Sequence, residues 1–482
     1  METKMIKLSE IVWEPSIYPR ETWNTNTIAQ YADVIKTGKR FPPIIVEAGS
    51  KRLLDGKHRV EAYKLYIELY SKRQESLAFQ NGVIDIWPEP PTEIEAEFHT
   101  IPNGIPAKLY AAGLSAKHGD RIKAAERKAI AREIYEENPD FHLADIMEHL
   151  GISLGSAHGY VSDILARRKE TQKMIAFRLS LLGWTQDEIS EKMGVSRDVV
   201  RNFVGDFSDL KKSPKNLLTE GHPHGEVSKR QSMPIQLVWA IDLEGHSDKE
   251  RMSKLDMNIQ PYDVWNFPTC HELFGDKHPG RIPGQLIAHT LYFYTQPGAM
   301  VIDPMVGSGT TLDVCLAFGR KCYGFDIDDR HKRQDVIAHD IIKDGWHDRV
   351  KKADLIFWDP PYYSKMDSST IGEDGYIEGS ISKLSRKDYL AFFAERLSEA
   401  KRLVKKGTKL AFLMSDWDDN TGNQEGIFIW DYANTITNAG WKLIRHIQSP
   451  LSTQQVHPDI VNKFRESRRM ARLERYLLIA EA

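Results

Sequence analysis

Short apolar runs punctuate the second half of this chain, and the longer stretches between them repeat apolar residues every three or four positions. Leu355-Ile356-Phe357-Trp358 reads as a buried parallel strand, with further strands at Met300-Val301-Ile302, Lys321 to Phe325 and Lys409 to Met414. Helical spacing marks Gln285 to Tyr294, the stretch from about Thr310 to Gly319, Ser385 to Lys406, and Trp430 to Ala439. Trp441 to Ile447 and Glu474 to Ala480 return to strand character. Strands that alternate with helices predict a doubly wound α/β domain over residues 236–482.

Upstream the pattern changes. Phe41 to Val46 and Lys51 to Leu54 predict two short strands joined at Ala48-Gly49-Ser50, and Asp55-Gly56-Lys57-His58-Arg59 turns into a helix. Residues 1–112 are thus expected to form a small α+β domain. Residues 113–205 carry helical spacing throughout and two helix-turn-helix patterns. The first runs Leu143 to Gly151, then Leu154 to Leu165; the second runs Thr185 to Gly194, then Arg197 to Val204, with Ser196 placed to cap its second helix. Residues 206–235, rich in Lys, Ser, Pro, Gly and His, predict a linker. The fold class expected is multidomain α/β with an all-α middle region.

Length and composition agree: 482 residues exceed what one core supports. No apolar run approaches the ~18–20 residues that span a bilayer, and Met1-Glu2-Thr3-Lys4 opens no signal peptide. Three cysteines without metal-ligand spacing suit packing in a reducing cytosol, so a cytoplasmic protein is expected. His222 and His224 flank a proline without further ligands nearby, and no metal is expected. The net charge of −3 confines any nucleic-acid contact to local basic patches.

The candidate chemistry lies at strand ends. Asp359-Pro360-Pro361-Tyr362 follows the apolar strand, and two prolines without N–H groups stop the ladder in a stiff turn. Asp359 and the Pro360 carbonyl can accept both hydrogens of an exocyclic amino group, and Tyr362 can stack on a base. The alternative is a plain strand-ending turn. Upstream, Asp303-Pro304-Met305-Val306-Gly307-Ser308-Gly309-Thr310-Thr311 reads as a glycine turn into a helix N-terminus. It lacks the Gly-Lys-Ser/Thr of a phosphate loop. Asp326 closes the second strand, where an acidic residue meets ribose hydroxyls.

These motifs resemble the amino-methyltransferases of DNA, whose hallmarks are the D-P-x-x-G-S-G-T-T and (D/N/S)-P-P-(Y/F/W) turns. The resemblance covers roughly residues 260–480 and includes His278-Pro279-Gly280-Arg281-Ile282-Pro283 before the first strand. It implies a Rossmann-like sheet that binds S-adenosylmethionine through Asp303, Pro304, Met305, Gly307, Gly309, Thr310 and Asp326, with His278 and Pro283 near its methionine end. It assigns the base to Asp359, Pro360, Pro361 and Tyr362. Asp rather than Ser at the first turn position leans toward adenine-N6, with cytosine-N4 the alternative. A restriction-modification setting belongs to the same resemblance.

The N-terminal turn Asp55-Gly56-Lys57-His58-Arg59 with Ala62 resembles the ParB/sulfiredoxin-like fold. Lys57 stands where sulfiredoxins carry cysteine, so sulfinic-acid reduction is not expected. ParB relatives bind a cytidine nucleotide near this turn, which makes Gly56, Lys57, His58 and Arg59 a candidate nucleotide or anion site; the alternative is a module without ligand. Arg197, Arg201 and Asn202 on the second helix-turn-helix are candidates for double-stranded DNA, against the reading of a helical bundle between domains. The expected reaction is methyl transfer to an amino group of a flipped DNA base. A homodimer is a further expectation. The rivals are base methylation of RNA, which the helix-turn-helix patterns oppose, and a non-enzymatic ParB-like DNA-binding factor, which the intact turn residues oppose.

Overall fold

A computed structural model describes residues 3–20, 24–77, 87–117, 122–138, 141–277, 281–327, 333–363, 380–417, 425–450, 462, 465–467 and 474–482. The chain divides into two units, Met1–Glu170 and Thr171–Ala482.

The first unit begins with strands β1 (Thr3–Lys7), β2 (Ile44–Glu47), β3 (Leu53–Asp55) and β4 (Glu93–His99) in the order β1-β4-β2-β3. β2 lies parallel to β4 and antiparallel to β3. The predicted strand from Phe41 starts only at Ile44, because Pro42 and Pro43 cannot donate to a ladder. Helices Thr25–Lys36 and Lys57–Leu77 cover this sheet through Ile28, Ala32, Ile35, Val60, Tyr63 and Tyr66. Helices Ala107–Lys117, Ala124–Glu137 and Leu143–Leu150 and the first turns of Leu154–Leu181 enclose a second core of Leu109, Ile130, Ile134, Ile146, Val161 and Ile164. Gly151, at φ 60°, makes the turn between the last two of these helices. The last extends to Leu181 rather than Leu165, because no proline interrupts it before Gly183 takes φ +84°.

The second unit is built on a seven-stranded mixed sheet of β5 (Met300–Asp303), β6 (Lys321–Asp326), β7 (Val336–Ala338), β8 (Leu355–Trp358), β9 (Lys409–Met414), β10 (Lys442–Gln448) and β11 (Tyr476–Glu481). The order is β10-β11-β9-β8-β5-β6-β7, with β11 antiparallel to both its neighbours and the remaining pairs parallel. The chain leaves β5 toward β6 and β7, then returns to place β8 on the other side of β5. That reversal opens a crevice between the carboxyl ends of β5 and β8.

Residues 206–235 are not a linker. They form helices Phe207–Thr219 and His224–Gln231, followed by Ile235–Asp242. Phe207, Leu210, Pro214, Leu217 and Leu218 recur at helical spacing, and Phe207, Pro214, Val227 and Met233 are buried. Pro223 and Pro234 sit at helix N-caps, where a missing N–H costs nothing, so their presence does not mark open chain. His224 stacks on Trp239 at 3.6 Å between centroids and meets Asp242 at 3.1 Å.

The helix pair Gln186–Met193 and Arg197–Gly205, expected as the second helix-turn-helix, also belongs to this unit, so the expected boundary at 205 does not separate it from the seven-stranded sheet. Its first helix, Gln186–Met193, docks on β6 and β7: Tyr323 donates to Glu188 at 2.9 Å, Arg349 pairs with Glu188 at 2.9 Å, and Lys192 donates to the Val336 carbonyl at 2.7 Å. Among the described residues, no helix is long and apolar enough to cross a membrane.

Candidate active site

Asp303, Asp326 and Asp359 come from three neighbouring strands. Asp303 pairs with Gly324, and Ile302 pairs with Ile356, so Asp326 and Asp359 both stand two residues above the level of Asp303. They flank β5 on strands roughly 10 Å apart, with the turn from Pro304 to Gly309 between them.

Asp303 serves the turn itself. It is buried, its Oδ1 accepts from the Met305 N–H at 3.1 Å, and its Oδ2 accepts from the Thr311 hydroxyl at 2.6 Å. Burial lifts its pKa to about 7; the two hydrogen bonds pull it down and the Asp359 and Asp326 carboxylates push it up. Asp326 reaches across to accept from the Gly307 N–H at 2.8 Å, and the Val306 N–H bonds the Phe325 carbonyl at 2.9 Å. The turn is therefore stitched to the ends of both β5 and β6.

The two glycines differ. A Cβ on Gly307 would meet nothing within 4 Å, and both Gly307 and Met305 keep partial exposure, so this side of the turn is open to a ligand. A Cβ on Gly309 would lie 2.3 Å from the Arg333 guanidinium. The second glycine thus makes room for a side chain of the protein rather than for a ligand. Arg333 donates to the Ser308 carbonyl at 3.1 Å and pairs with Asp313 and Asp335 at 2.8 and 2.9 Å; Arg178 pairs with the same two carboxylates. This buried quartet braces the turn from behind.

The segment before β5 packs on the same turn. The Gly275 N–H donates to Asp313 at 2.8 Å, the Asp276 N–H donates to the Ser308 carbonyl at 3.1 Å, and a Cβ on Gly275 would strike the Thr310 hydroxyl. Pro283 is buried at the N-cap of helix Gly284–Tyr294. His278 lies outside the described residues.

At the end of β8, Tyr362 donates its hydroxyl to Asp359 Oδ1 at 2.9 Å, and Tyr389 donates to the Pro361 carbonyl at 2.9 Å. Tyr363 packs edge-on against Trp417 at 4.8 Å, which ties the turn to the end of β9. Asp359 keeps some exposure at its outer edge while protein crowds its carboxylate. That crowding raises its pKa to about 6, against the pull of Arg475 and of the Tyr362 hydroxyl. Arg475 and Asp340 were not singled out from the sequence. Asp340 lies two residues past Ala338, the partner of Asp326, and caps the Ile342 and Lys343 N–H groups. Its position after a three-residue strand left no periodic signal.

The other candidate residues lie elsewhere. Arg197, Arg201 and Asn202 are exposed on helix Arg197–Gly205, while Val200 and Phe203 face inward. Arg197 meets Asp187 at 3.1 Å and Arg201 meets Asp198 at 2.8 Å, pairs exposed enough to exchange with phosphates. In the first unit, Gly56 at φ +100° makes the turn before helix Lys57–Leu77. Lys57 is buried, pairs with Glu61 at 2.8 Å and lies 3.7 Å over the Trp13 ring. Arg59 pairs with Asp55 at 2.7 Å, and His58 accepts from the Asn24 N–H at 3.1 Å. An anion at this turn would have to displace those internal partners. Among the described residues, no group of three or more His, Cys, Asp or Glu could hold a metal.

This arrangement defines the class: a doubly wound sheet whose strand ends carry a glycine turn, an acidic residue on the next strand and an Asp-Pro-Pro-Tyr turn. Residues 169–338 and 353–463, more than half of the chain, match the DNA methylase family of N6/N4 type, and the chain belongs to that family. The family takes its methyl group from S-adenosylmethionine. The chain is 35% identical over 86 residues to the DNA adenine methyltransferase YhdJ of Escherichia coli (strain K12), covering 16% of this chain and 29% of that protein. It is 25% identical over 209 residues to the Type II methyltransferase M.MjaII of Methanocaldococcus jannaschii, covering 42% and 34%. It spans about a third of the length of these curated relatives. Among solved structures, TrmN from Thermus thermophilus overlaps 42% of this chain and 50% of its own, at 15% identity and a TM-score of 0.26. The C-terminally truncated chromosome-partitioning protein ParB from Caulobacter crescentus complexed with CTP-gamma-S overlaps 33% and 77%, at 12% identity and a TM-score of 0.18. Both overlaps are too loose to bear on function.

Proposed function

We propose that this chain methylates the exocyclic amino group of a base in double-stranded DNA, adenine-N6 in the first place. The observation that carries the reading is the placement of Asp359 and Asp326 on either side of the β5 turn. S-adenosylmethionine, when bound, supplies an electrophilic methyl group. Asp326 and the open side of Gly307 fit its ribose and backbone approach, and Asp359 accepts hydrogen bonds from the target amino group. Those bonds localise the nitrogen lone pair, and Tyr362 offers a face for the flipped base. Asp303 and Thr310 shape the turn, and Met305 keeps partial exposure on its open side. The adenine choice rests on aspartate at the first position of the Pro-Pro turn and on the similarity to a DNA adenine methyltransferase. Tritium-labelled methyl transfer to duplex DNA, followed by nucleoside analysis, tests it: N6-methyladenine is expected, N4-methylcytosine would move the choice of base, and no labelled base would reject the reading.

Asp326→Ala should weaken S-adenosylmethionine binding in calorimetry, by about 1–3 kcal/mol for loss of a hydrogen-bonded carboxylate. Equal affinity in both proteins would remove Asp326 from the ribose role. The helix Arg197–Gly205 is the proposed groove element for DNA, with Arg197, Arg201 and Asn202 on its outward face. Arg201→Ala should weaken duplex binding and lower the salt slope by about one unit if the side chain meets a phosphate. Superimposable binding curves at all salt concentrations would favour a purely structural helix pair.

A further inference from the structure

Arg475 immediately precedes β11, which runs antiparallel to β9, so it lies at the edge where β8 and β9 end. Trp358 pairs with Phe412 and Phe412 with Leu478, which sets Asp359 level with Leu413 and Leu477. Arg475 is two residues beyond Leu477 toward that edge, and residues two apart on a strand share a face. Asp359 and Arg475 therefore project from one face of the sheet, on strands two apart.

Arg475 is only 4% exposed. Its Nε donates to the Ser449 carbonyl at 3.3 Å, while its Nη2 is buried without a hydrogen-bond partner. The Ser449 hydroxyl beside it is also buried and unpartnered. Among the described residues Arg475 forms no ion pair. A buried cation held this way is costly unless it acts on a charge within reach, and the charge it acts on is that of Asp359.

Resting on the reading of Asp359 as the acceptor for the target amino group, we propose that Arg475 is a positioning residue for methyl transfer, keeping Asp359 a carboxylate and aimed at that group. The groups that face Asp359 bear this out in their signs. On its own turn Tyr362 donates a hydrogen bond; from the start of β11 Arg475 adds the cation; from the end of β5 Asp303, raised to about 7 by burial, is largely protonated in the pH range where Asp359 titrates. Asp416 at the end of β9 is engaged with the Ile429 N–H at 2.8 Å, and Glu474 with the Tyr476 hydroxyl. Without Arg475, a crowded carboxylate would have no positive charge opposite. Asp359 would then take up a proton at higher pH and lose an acceptor.

The test is the pH–rate profile of methyl transfer by the full chain at saturating S-adenosylmethionine and duplex DNA. The wild type should lose activity below about pH 6, where Asp359 protonates. R475Q should move that acid limb up by about one unit, a loss of about tenfold at pH 5.5 beyond any loss at pH 8.5. R475K, which keeps the charge, should leave the limb within a few tenths of the wild type. S-adenosylmethionine affinity should be unchanged in both. An R475Q limb that coincides with the wild type, whatever its height, overturns the proposal. If R475Q is inactive throughout, R475K decides: retained activity with an unmoved limb supports the proposal, and equal inactivity overturns it. D359N separates the two readings. If D359N keeps the wild-type acid limb, Asp359 is not the titrating group and the reading of the site itself falls.

Discussion

Asp359→Ala is expected to lower the rate of methyl transfer by about a hundredfold to a thousandfold, the usual effect of removing one positioned electrostatic partner, while S-adenosylmethionine binding stays largely intact. The separation follows from the sheet. Asp359 directly follows β8, whereas Gly307 and Asp326, the proposed cofactor contacts, belong to the β5 turn and the end of β6, bonded to each other at 2.8 Å. Tyr362 extends the prediction. Tyr362→Ala should lose roughly 1–3 kcal/mol of base stacking. Tyr362→Phe keeps the ring but removes the hydroxyl that donates to Asp359, so it should retain most base affinity and raise the pH of the acid limb. Wild-type turnover in Asp359→Ala would sink the mechanism.

The largest stability effect is expected far from the crevice. Arg320 is fully buried and pairs with both oxygens of Asp248 at 2.5 and 2.7 Å; it also donates to the Thr295 hydroxyl and to the carbonyls of Phe318, Leu291 and Thr295. Asp248→Ala leaves the guanidinium buried with neutral acceptors only, and breaking a buried pair this way costs about 3–5 kcal/mol. Arg320→Met removes the charge along with its need for a partner and should cost less. The double variant Asp248→Ala/Arg320→Met should be more stable than Asp248→Ala alone, a coupling readable from urea unfolding followed by tryptophan fluorescence. A double variant as unstable as the sum of its parts would assign the role to packing.

The strands that carry chemistry were legible because they are buried on both faces. Leu355 to Trp358 and Lys409 to Met414 read as continuous apolar runs and form β8 and β9. The Pro-Pro and glycine turns announced their strand ends for the same reason: proline and glycine alter the backbone itself. β7 escaped notice because three residues, none of them buried, leave no period to read. Helices 207–219 and 224–231 were hidden by composition, since lysine, serine and capping prolines outweigh the few apolar positions that pack inward. Arg475 could not be found from spacing, because its neighbour Asp359 is brought near only by the antiparallel return of β11. The role of Gly309 was invisible in the same way: Arg333, which fills its missing side chain, lies in another segment.

The docking of helix Gln186–Met193 on β6 and β7 through Glu188, Tyr323, Arg349 and Lys192 has a consequence for specificity. If helix Arg197–Gly205 reads the groove, it does so at a fixed stand-off from Asp359, as a rule held against the duplex. The offset in base pairs between the sequence read and the base modified would then be constant. Exchanging Arg197, Arg201 and Asn202 would change which letters are read without changing that offset, whereas loosening the Glu188 contacts would blur the offset and leave the letters unchanged.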